Sequence, residues 1–439
     1  LCEPDDGACP ARGGTAVTSG TASSRDGRTY ASVTAAYWAF TLTDGALRML
    51  VLLHFHQLGF TPLDIAFLFL LYEAMGIITN FLGGWIGARF GLRITLFAGL
   101  AVQIAALLML SATNPAWTAL FSVGYVMVAQ ALSGVAKDLT KMSSKSAVKL
   151  VVASEEDGLL FRWVAVLTGS KNALKGVGFL LGGVMLEGLG FTHALYAMAG
   201  MLAVVLAAAL LTIKADLGRA KTKIVKRDLF AKTREINFLS AARIFLFASR
   251  DVWFVVGVPV FLYDQLGWSF DRVGLFMAVW VVGYGIVQAL VPRFLRRTRD
   301  AGTAARGAVL WGSVLALLPA LIAAGLTPGW MPAEFGAGDA PAIILVGGLL
   351  LFGVVFAINS ALHSYLIVAY SDADKVALNV GFYYMANAVG RFAGTLLSGL
   401  VYQLAGLTAT LWVSAAMVLL AVMLTLPLGG GRRAVSQSG

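Results

Sequence analysis

Apolar stretches long enough to cross a bilayer recur along almost the whole chain, and no other feature restricts the fold so sharply. A spanning helix needs roughly 20 apolar residues. Twelve such runs can be marked, near residues 32–58, 63–87, 92–112, 117–136, 160–188, 192–213, 238–266, 272–292, 304–326, 342–370, 376–405 and 408–428. Inside hydrocarbon the backbone must satisfy its own hydrogen bonds, and continuous runs of this length do so as helices. Charged residues form only 13% of the sequence, about half the share of a soluble domain, so no soluble core could hide the remaining apolar surface. A net charge of +10 would suggest nucleic acid in a soluble protein. Here most basic residues sit between apolar runs, and anionic lipid headgroups are the cheaper partner.

The connections carry charge asymmetrically. With the first terminus inside, one side holds Arg89, Arg93, the Lys137–Lys141–Lys145–Lys149 stripe, the basic connector 214–236, Arg293, Arg296, Arg297, Arg299, Arg306, Lys375, Arg432 and Arg433. The other holds Asp64, Glu187, Asp264, Asp271, Glu334 and Asp339, with Arg272 as its basic residue. Positive connections stay in the cytoplasm, so both termini are expected inside and the number of spans even. Residues 1–31 lack the basic start and apolar run of a signal peptide and are expected to form a disordered polar tail, as is 429–439. The only cysteines, Cys2 and Cys9, fall in the first tail and outline neither a disulfide framework nor a thiolate metal site.

An internal repeat divides the spans. Gln57-Leu-Gly-Phe-Thr closes the first span and Gln265-Leu-Gly-Trp-Ser the seventh, 208 residues on. Lys175, Gly178, Gly183, Gly190 and Thr192 are echoed 216 residues on by Arg391, Gly394, Gly399, Gly406 and Thr408. Two six-helix halves of one topology, 32–213 and 237–428, joined by a basic connector, describe an all-α membrane protein of the major facilitator fold. The glycines themselves need no more explanation than close helix packing in lipid. The segment GWIGARFGLR, residues 84–93, resembles that superfamily's loop motif, with Ala88 at the position where the motif is acidic.

Ionisable residues at membrane depth each cost a few kcal/mol unless they face a cavity or a partner. The first span holds Asp44 and Arg48, spaced to pair on one face, and the second holds Glu73. The fifth holds Lys171, Asn172 and Lys175, the seventh Arg243, Arg250 and Asp251, and the eleventh Tyr383, Tyr384, Asn387 and Arg391. Six cations against three acids in spans expected to line a central cavity argue for an anionic substrate. Asp44, Glu73 and Asp251 are the candidate proton carriers. Arg243 lies near the basic end and can equally snorkel to headgroups. The lysine stripe reads more simply as an interfacial helix on the inner leaflet. His54, His56 and His363 show no ligand spacing, so packing or hydrogen-bonding roles are expected and no metal or cofactor is implied. No phosphate-cradling Gly-Lys-Ser/Thr loop supports ATP-driven transport, and no nucleophile–base constellation supports an enzyme.

Longer strings carry a narrower resemblance: YWAFTLTDGALRML (37–50), LHFHQLG (53–59), ALSGVAKDL (131–139), LTGSKNALKGVG (167–178) and RDVWF (250–254). These resemble the ArsJ family of organoarsenical efflux permeases. The resemblance implies a monomeric exporter of 1-arseno-3-phosphoglycerate in a bacterial inner membrane. That ester is made when a glyceraldehyde-3-phosphate dehydrogenase uses arsenate in place of phosphate, which implies a functional link to such an enzyme. On this reading Lys171 and Lys175 hold one anionic end and Arg391 with Arg250 the other, with Arg48 between them, tuned by Asp44. Export of another phosphorylated or organic anion, and a membrane scaffold or receptor without flux, are the alternatives. Proton antiport is the expected coupling, and uniport down a metabolite gradient is the alternative that the residues leave open.

Overall fold

The computed structural model describes residues 19–151, 157–213, 233–294, 301–327, 340–371 and 376–428; within these, the side chains of 19–30, 83–90, 92, 145–151, 157–169, 292–294 and 376–378 are excepted. The described elements are α1 (Ser19–Gln57), α2 (Pro62–Ser111), α3 (Ala119–Val151), α4 (Asp157–Thr212), α5 (Arg234–Phe254), α6 (Gly257–Asp264), α7 (Phe270–Phe294), α8 (Ala301–Leu326), α9 (Ala340–Ala369) and α10 (Val376–Thr425), with a closing 3-10 turn at Leu426–Leu428. No strand occurs among the described residues.

Three of these helices are too long for one crossing. At 50, 56 and 50 residues, α2, α4 and α10 would each run about 75 Å or more, against roughly 30 Å of hydrocarbon. Each is broken at one glycine: Gly91 (φ 74°, ψ 173°), Gly190 (φ 73°, ψ 173°) and Gly406 (φ 72°, ψ −171°). A side chain forbids that backbone conformation, so a single glycine turns one helix directly into the next. Helix α3 records the reversal in α2. Past Gly91 the contacts run antiparallel, with Thr95 to Ser143 (2.7 Å), Gln103 to Ser133 (2.8 Å) and Met109 to Tyr125 (2.9 Å). Before it they run parallel, with Tyr72 against Gly134 and Thr79 bonded to Asp138. Helices α5 and α6 form one span interrupted at Val256 (φ −125°, ψ −50°), where Ser398 Oγ accepts from the N–H groups of Val256 (3.1 Å) and Gly257 (3.2 Å). The described chain therefore crosses twelve times, by way of α1, both arms of α2, α3, both arms of α4, α5 with α6, α7, α8, α9 and both arms of α10.

The repeat read from the sequence has a backbone counterpart. Gly59 (φ 83°) and Gly267 (φ 62°) end the first and seventh spans, 208 residues apart, and Gly190 and Gly406 make the same turn 216 residues apart. Within each half the same small-residue face is used. A methyl at Gly45 would lie 2.5 Å from the Lys175 carbonyl oxygen, and one at Gly178 would overlap that of Leu42, so α1 and α4 touch backbone to backbone. In the second half a methyl at Gly394, the echo of Gly178, would lie 2.9 Å from the Ala248 carbonyl oxygen on α5. Such contacts replace the hydrophobic drive that lipid does not supply.

Several boundaries differ from expectation. Helix α1 starts at Ser19, inside the stretch expected to be a tail; extending a formed helix adds one hydrogen bond per residue fixed, without a new nucleus. Residues 1–18, most of the connector (214–232) and 429–439 lie outside the described residues. Thr233, at the end of that connector, N-caps α5. Asp64 completes a capping box with Thr61 at the start of α2. Helix α3 continues well past the expected end near 136, and its residues Lys137 and Lys141 lie inside the bundle.

Candidate functional site

A cavity of about 290 Å³ lies between the halves, lined by side chains of α1–α5, α7, α9 and α10. The first half contributes Arg48, Lys137, Lys141, Lys171 and Lys175, and the second Arg243, Arg250 and Arg391. Four acids face them: Asp44, Glu73, Asp138 and Asp251. Among the described residues the cavity lining thus carries twice as many cationic as acidic side chains, in a space of low dielectric where charge is costly unless compensated. Its volume falls at the small end of the roughly 300–1,000 Å³ of ligand sites, which suits a small metabolite.

The charges form two related pairs and one bridge. Lys175 Nζ stands 3.6 Å from Asp44 Oδ2, whose other oxygen accepts from Tyr72 Oη at 2.6 Å. At the echoed position Arg391 Nε stands 3.5 Å from Asp251 Oδ2, a charge contact without hydrogen-bond geometry, and Arg250 holds the other Asp251 oxygen at 2.5 Å. Glu73, 1% exposed, has no such echo, since the residue 208 further on is Val281. Its Oε1 accepts from Arg48 at 3.0 Å and from Arg391 at 2.5 Å. Because Arg48 belongs to the first half and Arg391 to the second, this one carboxylate ties the halves at the centre of the cavity. Lys141 donates to Asn80 Oδ1 at 2.9 Å and lies 3.4 Å from Asp138, which also accepts from Thr79.

At the end where α1 and α6 finish, the halves are closed. His56 Nε2 and Asp264 Oδ1, themselves 208 residues apart, meet at 2.7 Å, and Leu63 N–H donates to Gln403 Oε1 at 3.0 Å. Methyl groups at Gly183 and Gly399 would overlap the carbonyl oxygens of Phe270 and Pro62 in the opposite half.

Two like halves around a central polar cavity match a known family. The sequence model of the Major Facilitator Superfamily matches residues 32–331, more than half of the chain. The chain belongs to the major facilitator superfamily. No curated protein sequence matches it. Among solved structures, it is similar to a POT family transporter in complex with a thioalcohol-conjugated peptide (TM-score 0.68, 14% identity, 91% of this chain and 96% of that one). It is also similar to a variant of the nucleoside transporter NupG (TM-score 0.68, 15% identity, 91% and 98%). At these identities the likeness speaks for the fold alone. Superfamily membership makes the chain a multi-pass membrane transporter.

Within this facilitator fold most of the anticipated residues converge. Asp44, Arg48, Glu73, Lys171, Asn172, Lys175, Arg250, Asp251, Tyr384, Asn387 and Arg391 all line the cavity. Tyr383 does not: it is 1% exposed and packs beneath Arg243, whose guanidinium carbon lies 4.8 Å from its ring centre. The neighbouring residue on a helix points about 100° away, which is why Tyr384 reaches the cavity and Tyr383 does not. Asp44 and Arg48, one turn apart, pair across helices instead of with each other. Lys137 and Lys141 correct the interfacial reading of the stripe, for both face the cavity; the side chains of Lys145 and Lys149 lie outside the described residues. Arg243 does not snorkel, being 4% exposed and wedged between Phe247 (4.0 Å) and Tyr383. Asp138 was not anticipated at all. The one hint was that Asp138 adjoins Lys137 within a long apolar helix. In the superfamily's loop motif, the side chain of Ala88 lies outside the described residues. His54 stacks on Phe191 (3.9 Å, 10° between planes) in a packing role.

Proposed function

We propose that the chain is a secondary exporter of a small organic anion with charge at both ends, and that 1-arseno-3-phosphoglycerate is that anion. The observation that carries this reading is the cavity's charge: eight cations against four carboxylates among the described residues, contributed by both halves. An anion at each end of a three-carbon chain would supply compensation to both halves at once. Lys171 and Lys175 take one end and Arg250 with Arg391 the other, Arg48 standing between them. The sequence strings that resemble those of organoarsenical permeases favour the arsenylated ester as that anion. A glyceraldehyde-3-phosphate dehydrogenase using arsenate would supply it inside a bacterial cell, and the termini and basic connections would lie on that cytoplasmic side of the inner membrane.

The geometry suggests how occupancy is coupled to movement. Glu73 serves as counter-ion to Arg48 and Arg391. An incoming oxyanion competes for the same two guanidinium groups, and its planar bidentate hydrogen bonds suit both. Once displaced, Glu73 no longer ties the halves, and a proton taken up by it, by Asp44 or by Asp251 can travel in the opposite direction.

The test uses everted membrane vesicles supplied with glyceraldehyde-3-phosphate, a dehydrogenase, its nicotinamide cofactor and arsenate. Arsenic should accumulate in vesicles containing the chain, more so with an imposed pH difference, and unarsenylated 3-phosphoglycerate should compete weakly. Accumulation equal to that of vesicles lacking the chain would reject the substrate; strong uptake of another organic phosphate instead would replace it.

A further inference from the structure

Most of the cavity's cations already have a carboxylate. Arg48 and Arg391 share Glu73, Lys175 has Asp44, Arg250 has Asp251 and Lys141 has Asp138. Lys137 and Arg243 differ. Among the described residues neither has an acidic oxygen within 4.0 Å, although both line the cavity and lie far along membrane-spanning helices. Lys137 Nζ sits over the Tyr72 ring, 3.9 Å from its centre. Gly76 leaves the space beside it: a methyl there would lie 3.6 Å from that ammonium. Arg243 donates from Nη1 to the hydroxyl (3.1 Å) and carbonyl (3.3 Å) of Ser360, while its buried Nε has no hydrogen-bond partner.

We infer that Lys137 and Arg243 are the anion's first contacts, one from each half, and that they set the preference for a molecule carrying negative charge at both ends. This rests on the organic-anion reading of the cavity and adds to it a division of labour. A cation kept out of water whose nearest partners are aromatic faces and neutral acceptors, with carboxylates only beyond ion-pair distance among the described residues, is incompletely compensated. Aromatic faces recover only part of that cost. The ligand's charge recovers the remainder, so these two sites bind anion without first breaking an ion pair. The paired cations, by contrast, engage only after Glu73, Asp44 or Asp251 has been displaced. Lys137 and Arg243 thus capture the ligand, and the paired arginines convert its arrival into release of the tie between the halves.

The test measures binding of radiolabelled 3-phosphoglycerate to the purified full chain in lipid nanodiscs, across a range of salt concentrations. Lys137→Gln and Arg243→Gln should each weaken binding about tenfold or more, the loss of one charge-assisted contact. Each should also flatten the salt dependence, a change that a purely structural role does not produce. Lys137→Arg should restore both. Lys137→Gln removes no hydrogen bond or ion pair among the described residues, so it remains decisive even if Arg243→Gln fails to fold. Wild-type affinity and salt dependence in Lys137→Gln, and in Arg243→Gln where it folds, would overturn the assignment while leaving the transport reading intact. A wild-type chain that binds neither 3-phosphoglycerate nor inorganic phosphate nor arsenate would remove the organic-anion reading and this one with it.

Discussion

Replacing Glu73 by glutamine should tighten anion binding and at the same time abolish transport. Glu73 is 1% exposed and its Oε1 is shared by Arg48 at 3.0 Å and Arg391 at 2.5 Å. At an effective dielectric constant near 20, two unit charges about 4 Å apart attract by roughly 4 kcal/mol, so the two pairs together represent about 8 kcal/mol of gross attraction. Much of this is spent on desolvation, and removing one member of a buried pair is typically worth about 3–5 kcal/mol. A ligand oxyanion that displaces Glu73 must overcome that sum. With glutamine in place Arg48 loses its carboxylate and Arg391 keeps only the longer Asp251 contact at 3.5 Å, and even the low end, about 3 kcal/mol, corresponds to roughly a hundredfold lower Kd. Transport should fail because the carboxylate that rebinds the arginines after release is gone, leaving the anion trapped. Titration of 3-phosphoglycerate into the purified protein checks the affinity, and counterflow in proteoliposomes checks the transport. Unchanged Kd with intact counterflow would refute the competition between Glu73 and the ligand.

Other consequences are as direct. Lys175→Gln and Arg391→Gln should each abolish arsenate resistance at unchanged expression, measured by growth on arsenate alongside immunoblotting; full resistance in both would sink their role as opposed contacts. Gly178→Val should drive a side chain into the Leu42 backbone of α1 and cost about 1–3 kcal/mol, seen as a lower thermal midpoint of the purified protein. Asp264→Asn should weaken the His56 contact that closes one end of the cavity. An exposed pair of this kind is worth about 0.2–1 kcal/mol, so the open population should rise only about one- to fivefold. Labelling of a cysteine placed at Leu63, in a background with Cys2 and Cys9 replaced by serine, measures it.

How much of this was legible in the sequence follows from which quantities are periodic. Span lengths, the half-to-half repeat and the membrane-depth charges on α1, α4, α5 and α10 are all one-dimensional patterns, and the structure assembles their carriers around one cavity. The partners of those charges are not one-dimensional. Asp44 and Arg48 sit one helical turn apart, which suggests a local pair, yet α2 and α4 bring Tyr72, Glu73 and Lys175 closer still. Lys137 and Lys141 look like the start of an interfacial stripe because Lys145 and Lys149 continue the spacing. Only the continuation of α3 beyond 136, packed against both arms of α2, shows that the first two lysines belong inside. The three glycine turns fall where the marked spans already break, between 87 and 92, 188 and 192, and 405 and 408; what stays hidden is that one residue, Gly91, Gly190 or Gly406, makes each turn while the helix otherwise runs on.

The departures from symmetry carry the functional argument furthest. Lys175 with Asp44 and Arg391 with Asp251 are similar pairs, one in each half, although Asp251 stands one residue before the exact echo of Asp44, and two like ion pairs give neither half a reason to move. Glu73 breaks that balance because its echo is Val281, which cannot carry charge. The second-half cation Arg391 is therefore drawn to the first half whenever the cavity is empty. An anion that satisfies Arg391 relieves this attraction, and a neutral ligand of the same size does not. On the proposed anion reading, dependence of movement on ligand charge follows from one unpaired position of the repeat. Converting that position's echo, by Val281→Glu, should offer the cations a competing carboxylate and slow anion exchange even with every lining cation still present.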